Sequence, residues 1–408
     1  MKDEAMRPAH IPYGGYWSTP FVKWQGALSS FHSLRLAAWV GRRALAARNI
    51  DPALIEEIIL GMTVPQQGAF YGAPWLASLM GMPGITGPTI AQACATSVRC
   101  LALSAGQIER EQARTVLVVA ADRISNGPTL LYPQPGGQGG QPVVERWILD
   151  NFAGDPNTSL AMIATAENAA RSFGISTEEQ HELVLMRLEQ YRAALADDSA
   201  FLRLFMALPF DLPDRRFLDI ADAVSGDVGV VASTRDRLAE LSPVVEGGTV
   251  TFAAQTHPAD GNAGMIVASR ERAAELSAKP GIAIRLRAFG QARAKPAFMP
   301  EASALAAGDA LRRAGIDVRQ CDVIKSHNPF AVNDILFARM TGVDLAAMNN
   351  FGCSLIYGHP QAPTGLRGVI EVIEELVLRG GGVGLFHGCA AGDTGMAVVI
   401  EVGDDEPV

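Results

Sequence analysis

Cysteine is scarce in this sequence: five in 408 residues, at Cys94, Cys100, Cys321, Cys353 and Cys389, with no CxxC pair. So few, odd in number and far apart, they make no disulfide framework and no cysteine-based zinc site, and they fit a reducing compartment. Long apolar runs are missing too. None approaches the ~18 residues of a membrane-spanning helix. The opening MKDEAMRPAHIPYGG lacks the apolar core of a secretory signal. The closing EPV is not a Ser-Lys-Leu peroxisomal address. A cytoplasmic protein is therefore expected. Excess positive charge is also absent, with 34 Lys and Arg against 43 Asp and Glu and a net charge of −9. That excludes a global attraction for nucleic acid or an anionic membrane, so a phosphate-bearing ligand must be met by local cations or backbone N–H groups. The seven histidines show no ligand spacing with cysteines or carboxylates, so no metal site is expected.

What is present is 48% hydrophobic and 19% charged, the balance of a soluble globular chain. Short apolar runs read as buried strands at Ile55–Met62, Thr115–Ala120, Thr249–Ala254, Gly264–Ser269, Val323–Ser326, Val383–Phe386 and Met396–Val402. Ala-, Leu- and Arg-rich helical patterns lie between them, which predicts α/β layers. The two halves resemble each other. RRALAARNIDPALIEEIIL (Arg42–Leu60) reads like DALRRAGIDVRQCDVIK (Asp309–Lys325), with Ile50-Asp51 matching Ile316-Asp317 at a shift of 266. A residue lost from the second copy's turn would make the shift 265, which sets Val118–Ala121 on Val383–Phe386 and Cys94 on His359. Two packed halves would bring those equivalent helix starts together near a pseudo-twofold axis. Residues of about 123–248 do not repeat and read as an insertion, a lid or ligand-holding subdomain. It includes the Gly/Pro-rich Pro133–Pro142 and a capping-box spacing, Ser176 to Glu179. The predicted halves are 1–272, with the insertion, and 273–408.

Four stretches could carry chemistry. IAQACATSVRCLALSAGQIER (Ile90–Arg110) puts Cys94 just ahead of a helix, with Thr96 and Ser97 as N-caps and an apolar stripe from Val98 to Ile108. The helix dipole there lowers a thiol's pKa and can hold an oxyanion. Cys100, inside the helix, and Cys353 read as small core residues. From position alone, Cys94 remains divided between nucleophile and filler. NNFGCSLIYGHPQAPTGLRGVIEVIEEL (Asn349–Leu376) holds His359 in a loop before a second helix, and a Cys/His pair is an activated nucleophile. LFHGCAAGDTGMAVVIEV (Leu385–Val402) runs a strand into a turn with Cys389 and small residues, where backbone N–H groups can approach a ligand. GGGVG (Gly380–Gly384) leads from helix into strand, the reverse of a dinucleotide loop. VIKSHNPFAVND (Val323–Asp334) ends a strand on His327-Asn328-Pro329-Phe330, polar then apolar groups of the kind that line a site.

Taken in order, STPFVKWQGAL (Ser18–Leu28), ACATSVRC, VVAADRISNGP (Val118–Pro128), MIATAENAARSFGISTEEQ (Met162–Gln180), GGTVTFAAQTHPADGNAG (Gly247–Gly264), HNPFA, GHPQAPTG and CAAGDTG resemble the thiolase family over nearly the whole chain. The resemblance implies an α/β, five-layered fold of two repeated βαβαβαββ halves with an inserted loop domain. It implies a CoA-dependent acyltransferase that cleaves 3-ketoacyl-CoA or runs the reverse Claisen condensation. Cys94 matches the nucleophile, His359 the base that activates it, and Cys389 the acid/base that moves the α-proton. The backbone N–H groups of Cys94 and Ala391 match one oxyanion hole, and His327 with His359 would serve the other. Such donors are typically worth about 3–4 kcal/mol each in the transition state. Met162, Thr256, Phe330, Asn328 and Gly392 fall where substrate would be held. No metal or redox cofactor is implied, CoA being a substrate, and the family is typically dimeric or tetrameric.

The sequence departs from the family pattern at several points. HNPF stands for NEAF, so His327 replaces an asparagine that holds a catalytic water, partly as in sterol-carrier-protein-linked thiolases. Ala161 replaces a loop-domain histidine, Ala254 an asparagine and Thr256 a serine. Ala391 and Asp393 replace the first and third glycines of CxGGGxG, while Gly392 is retained. Two rivals share these residues: a ketoacyl-synthase-like condensing enzyme, towards which His327 points, and a non-catalytic thiolase-like subunit of a lipid-metabolising complex.

Overall fold

In this computed structural model, which describes residues 8–404, the central strands of the two main sheets are the stretches buried on both faces. The first half runs β1 (Tyr16–Ser18), β2 (Val22–Lys23), α1 (Ser33–Ala47), β3 (Glu57–Gly61), α2 (Gly72–Leu79), β4 (Thr89–Ile90), α3 (Thr96–Glu109) and β5 (Thr115–Arg123). The insertion follows, with β6 (Thr129–Tyr132), β7 (Val143–Arg146), α4 (Trp147–Ala153), α5 (Met162–Phe173), α6 (Thr177–Arg203), β8 (Phe210–Pro213), β9 (Ile220–Val224) and α7 (Arg235–Ala239). β10 (Ala259–Ala268) returns to the first sheet and α8 (Arg270–Leu276) leads out of it. The second half is β11 (Ile282–Arg293), α9 (Met299–Ala314), β12 (Val323–His327), α10 (Ala331–Thr341), α11 (Ser354–Tyr357), α12 (Ala362–Leu378), β13 (Gly382–Ala390) and β14 (Thr394–Asp404).

The first sheet has the order β1-β10-β5-β3-β4, with β2 also on β10; the second has β11-β14-β13-β12. In each, parallel strands meet antiparallel ones at one junction, β5–β10 and β13–β14. α1 and α2 cover one face of the first sheet, α9 packs on the second, and α3 and α12 lie against each other between the sheets. That is a five-layered α/β/α/β/α stack, as expected. An isolated parallel bridge from Ile324 to Met348 sits where β4 pairs with β3 in the first half.

The repeat is real, but its register differs from the expectation. The polar turn keeps its length, since Pro52–Leu54 and Val318–Gln320 are both 3-10 turns and β3 and β12 follow each at the same interval. The shift of 266 therefore persists into α3 and α12, which start at Thr96 and Ala362. The 265 offset arises only in the loops, where Cys94 sits one residue nearer its helix than His359. β5 does match β13, but pairing puts Val118 opposite Ile59 and Phe386 opposite Lys325, so Val118 answers to Phe386, not Val383.

Two local expectations are corrected. Thr249–Ala254 is not a strand, because a 3-10 turn occupies Phe252–Ala254. The N–H groups of Thr249 and Val250 donate instead to the buried Glu167 carboxylate, which occupies the donors a strand would need. Neither Thr96 nor Ser97 caps α3, whose first turn has no side-chain cap. The Thr96 hydroxyl turns back to the Cys94 loop, accepting from the Gln92 N–H at 2.8 Å and donating to the Ala93 carbonyl at 2.6 Å. The Ser176–Glu179 capping box forms as read.

α12 is buried at every position from Ala362 to Leu376, its four charged residues included. Burying charge requires partners, and each has one. Arg367 meets Asp227 at 2.7 Å and Glu371 at 2.9 Å, Glu371 meets Lys325 at 2.9 Å, Tyr16 donates to Glu374 at 2.8 Å, and Asn350 to Glu375 at 2.7 Å. Gly368 is required by contact, since a Cβ there would fall 2.2 Å from the Phe386 ring.

Candidate active site

The two central helices begin side by side, and the loops entering them place the reactive groups. Cys94 Sγ lies 3.1 Å from His359 Nε2, across the junction of the halves. Both loops are bent through conformations that side chains rarely adopt, Ala93 at φ 44° and Gln361 at φ 63°. Such strain persists only where the surroundings impose it. His359 Nδ1 is held by Thr364 Oγ1 at 2.7 Å, so the ring is oriented from its own helix.

His327, at the end of β12, lies against His359 with ring centroids 4.1 Å apart and the rings tilted by 30°. Its Nδ1 is engaged by Ser354 Oγ at 2.9 Å, while its buried Nε2 has no partner among the described residues. Cys389, near the end of β13, is buried and receives a hydrogen bond from Asn333 Nδ2 at 3.3 Å.

Electrostatics here is governed by burial rather than by the helix dipole. Cys94 is half-buried and lines a cavity, yet desolvation pushes its thiol up to about 12. The backbone N–H groups of Ala391 and of Cys94 itself work against that rise without cancelling it. The expectation of a lowered Cys94 pKa is thus corrected, because removal from water outweighs the dipole. Burial, and then the nearby Cys94, raises Cys389. Burial pushes His327 down to about 3 and, with His327 beside it, holds His359 well below the ordinary histidine range. The resting site is therefore neutral, a thiol facing an imidazole.

A cavity of about 490 Å³ opens onto Cys94. Its walls are Trp147, Ile148 and Phe152 of α4, Leu160 and Met162 at the head of α5, Met299 of α9, and the Ala391–Asp393 turn. Met162 and Gly392 therefore line it. Asn328, Phe330 and Thr256 do not line it. The Asn328 amide is spent on Asp334 at 2.7 Å and Leu355 N–H at 3.1 Å, Phe330 is buried in the core, and Thr256 Oγ1 donates to the Ser354 carbonyl. Asp393, in place of a glycine, adopts φ 59° and accepts from the N–H groups of Ala297 and Phe298 at 2.9 and 3.0 Å. Aspartate tolerates that conformation and fastens the turn.

Sequence reasoning missed the α4 wall, which lies just after the Gly/Pro-rich stretch and shows only as the apolar pattern WILDNF. It also missed Asp122, Ser354 and Thr364, which hold the reacting groups from behind and carry no motif. And it found no metal constellation, whereas the donor atoms of Cys94, His327 and His359 lie within 4.8 Å of one another. Their spacing along the chain conceals this because three separate elements bring them together.

Known proteins agree with this architecture. Residues 16–271 match the family model "Thiolase, N-terminal domain" and residues 281–402 "Thiolase, C-terminal domain". The 3-ketoacyl-CoA thiolase of Pectobacterium carotovorum is 30% identical, with 94% of each chain covered. The acetyl-CoA acetyltransferase of Pseudomonas aeruginosa is 26% identical over 94% of this chain and 96% of the relative. Among solved structures, the Bacillus anthracis acetyl-CoA acetyltransferase superposes with a TM-score of 0.88 at 25% identity, covering 98% of this chain and 100% of that one. Human mitochondrial 3-ketoacyl-CoA thiolase in complex with CoA has the same fold, with a TM-score of 0.86 at 24% identity over 97% of this chain and 98% of that one.

Proposed function

The chain belongs to the thiolase family, and on that premise we propose that it is a CoA-dependent acyltransferase that splits 3-ketoacyl-CoA with CoA, or condenses two thioesters in reverse, through an acyl group on Cys94. The observation that carries this reading is the 3.1 Å contact between Cys94 Sγ and His359 Nε2 at the mouth of an apolar cavity.

In the cleavage direction His359 takes the Cys94 proton as the sulfur attacks the 3-keto carbon. A base within hydrogen-bond reach is what a thiol pushed up to about 12 requires, since little thiolate exists at rest. The N–H groups of Cys94 and Ala391 stabilise the oxyanion formed on the attacked carbonyl. The carbon–carbon bond breaks, and the acetyl-CoA enolate takes a proton from Cys389. His327 Nε2 and His359 face the second oxyanion, that of the enolate, with His327 standing for the water-holding asparagine of relatives. CoA thiol then gives its proton to Cys389 and attacks the acyl-Cys94, and acyl-CoA leaves as the Cys94 sulfur takes its proton back from His359. The presence of Cys389, whose thiol burial and then the Cys94 charge hold above its ordinary range, favours this over a synthase with a Cys-His-His set.

The reaction runs without metal or redox cofactor in this reading, in a cytoplasmic homodimer or homotetramer. No helix among the described residues is long and apolar enough to cross a membrane. The test is to mix the purified chain with acetoacetyl-CoA or a longer 3-ketoacyl-CoA and CoA and follow loss of the enolate absorbance. Turnover supports the reading. No turnover of any short, long or branched 3-ketoacyl-CoA points to the non-catalytic subunit.

A further inference from the structure

The donor set beside the cavity can do something the acyl-transfer chemistry does not use. Cys94 contributes a sulfur, and His327 and His359 an imidazole each, with the donor atoms all within 4.8 Å. Both rings are held by hydroxyls through Nδ1, from Ser354 at 2.9 Å and Thr364 at 2.7 Å. That leaves both Nε2 atoms available: His359 Nε2 faces Cys94 Sγ at 3.1 Å, and His327 Nε2 is buried without a partner among the described residues. A second residue fixing the far nitrogen is the usual support of a metal-binding histidine. Tetrahedral zinc at its ordinary bond lengths separates such donors by about 3.5 Å. This falls between the closest pair and the span of the set, so small side-chain shifts suffice.

The set holds one sulfur, two imidazoles and no carboxylate. That composition rejects Mg²⁺ and Ca²⁺, which want oxygen, and suits a thiophilic divalent ion. Cys94 itself lines the cavity of about 490 Å³, from which water can complete the shell. We propose that Cys94, His327 and His359 form a three-donor site for a cation of the zinc class, and that occupancy reversibly shuts off acyl transfer. On binding, the Cys94 S–H bond breaks, a sulfur–metal bond forms and one proton passes to solvent, with no change of oxidation state. The sulfur is then a ligand and no longer a nucleophile, and His359 Nε2 is no longer a base. A chain with asparagine in place of His327 would lack the third donor.

The test uses the full metal-free chain and two ions, Co²⁺ as a spectroscopic probe and Zn²⁺. One equivalent of Co²⁺ should produce a thiolate-to-cobalt charge-transfer band and the visible bands of a four-coordinate site. Zn²⁺ should bleach both, and Mg²⁺ should not. Cys94→Ser should lose the charge-transfer band and His327→Asn should weaken binding further than Ser354→Ala, for which about a 10-fold loss is expected. Melting curves of the metal-free variants check that they fold. On the wild type alone, Zn²⁺ should protect Cys94 from alkylation by iodoacetamide, and a chelator should restore it. Alkylation at an unchanged rate, or wild-type affinity in His327→Asn, overturns the proposal. These readouts need no turnover, so an enzyme inactive on every 3-ketoacyl-CoA would still report the metal site.

Discussion

Asp122, at the end of β5 in the first half, accepts the N–H of Ala362, the first residue of α12 in the second half, at 3.0 Å. The same carboxylate takes the Thr63 hydroxyl at 2.7 Å and the N–H groups of Thr63 and Val64 at 2.8 and 3.0 Å. Thr63 Oγ1 in turn meets Gln361 Oε1 at 2.7 Å. One buried side chain thus ties the loop that carries His359 to the opposite sheet. Asp122→Ala would remove the acceptor of these donors, at about 1–3 kcal/mol for each one left buried and unpaired. We expect a clear drop in the urea midpoint and a fall in kcat as His359 loses its seat. An unchanged midpoint would contradict the role.

The same residue makes stability depend on pH in an uncommon direction. Burial pushes the Asp122 carboxyl from the ordinary carboxylate range up to about 7, against the hydrogen bonds from Thr63, Val64 and Ala362. Below about pH 4 both folded and unfolded chains hold the proton. Between about 4 and 7 only the folded chain does, so this contribution to stability falls as pH rises through that window and is flat above it. Asp122→Asn removes the titration. The difference in unfolding free energy between wild type and variant should therefore change across the window, and parallel profiles would refute the assignment.

The neutral resting pair at the site predicts slow, steep alkylation. With the Cys94 thiol pushed up to about 12, its iodoacetamide rate should climb about tenfold per pH unit near neutrality without a plateau. A plateau in the neutral range would mean a preformed thiolate–imidazolium pair instead.

Cys389 and Cys94 should separate the two halves of the reaction. Cys389→Ala should still accept an acyl group from acyl-CoA on Cys94, yet lose the carbon–carbon step by about 100-fold or more, the usual scale of general acid–base catalysis. Equal loss of both steps would place Cys389 in the structural core alone.

Stability should be sensitive at the buried ion network. Arg367 is fully enclosed against Asp227 and Glu371, so Arg367→Met strands two carboxylates and should cost about 3–5 kcal/mol. Arg319→Ala breaks only the exposed pair with Asp317 and should cost under about 1 kcal/mol. Thermal melts compare them directly.

Much of this was legible in the sequence, for physical reasons. The strands that are buried on both faces are continuous apolar runs, and the internal repeat shows through Ile50-Asp51 and Ile316-Asp317. The pairing of Cys94 with His359 could be inferred because equivalent helix starts meet at a pseudo-twofold axis. Thr249–Ala254 misled because its apolar residues serve a turn around Glu167, a partner 82 residues away. The Cys94 pKa misled because local position reveals the helix dipole but not the depth of burial. Asn328 and Phe330 stood next to a site residue in the chain, yet their side chains turn into the second half's core. The α4 wall lay in a region with no repeat-mate to compare.

The central claim is that Cys94 carries the acyl group. The most direct measurement is to mix the enzyme with a 3-ketoacyl-CoA in the absence of added CoA, quench with acid and map the peptides by mass. The account predicts one acyl group, on the peptide containing Cys94, absent from Cys94→Ala and removed by CoA in the wild type. Turnover by Cys94→Ala at the wild-type rate, or an acyl group on Cys100, Cys353 or Cys389 instead, would contradict it.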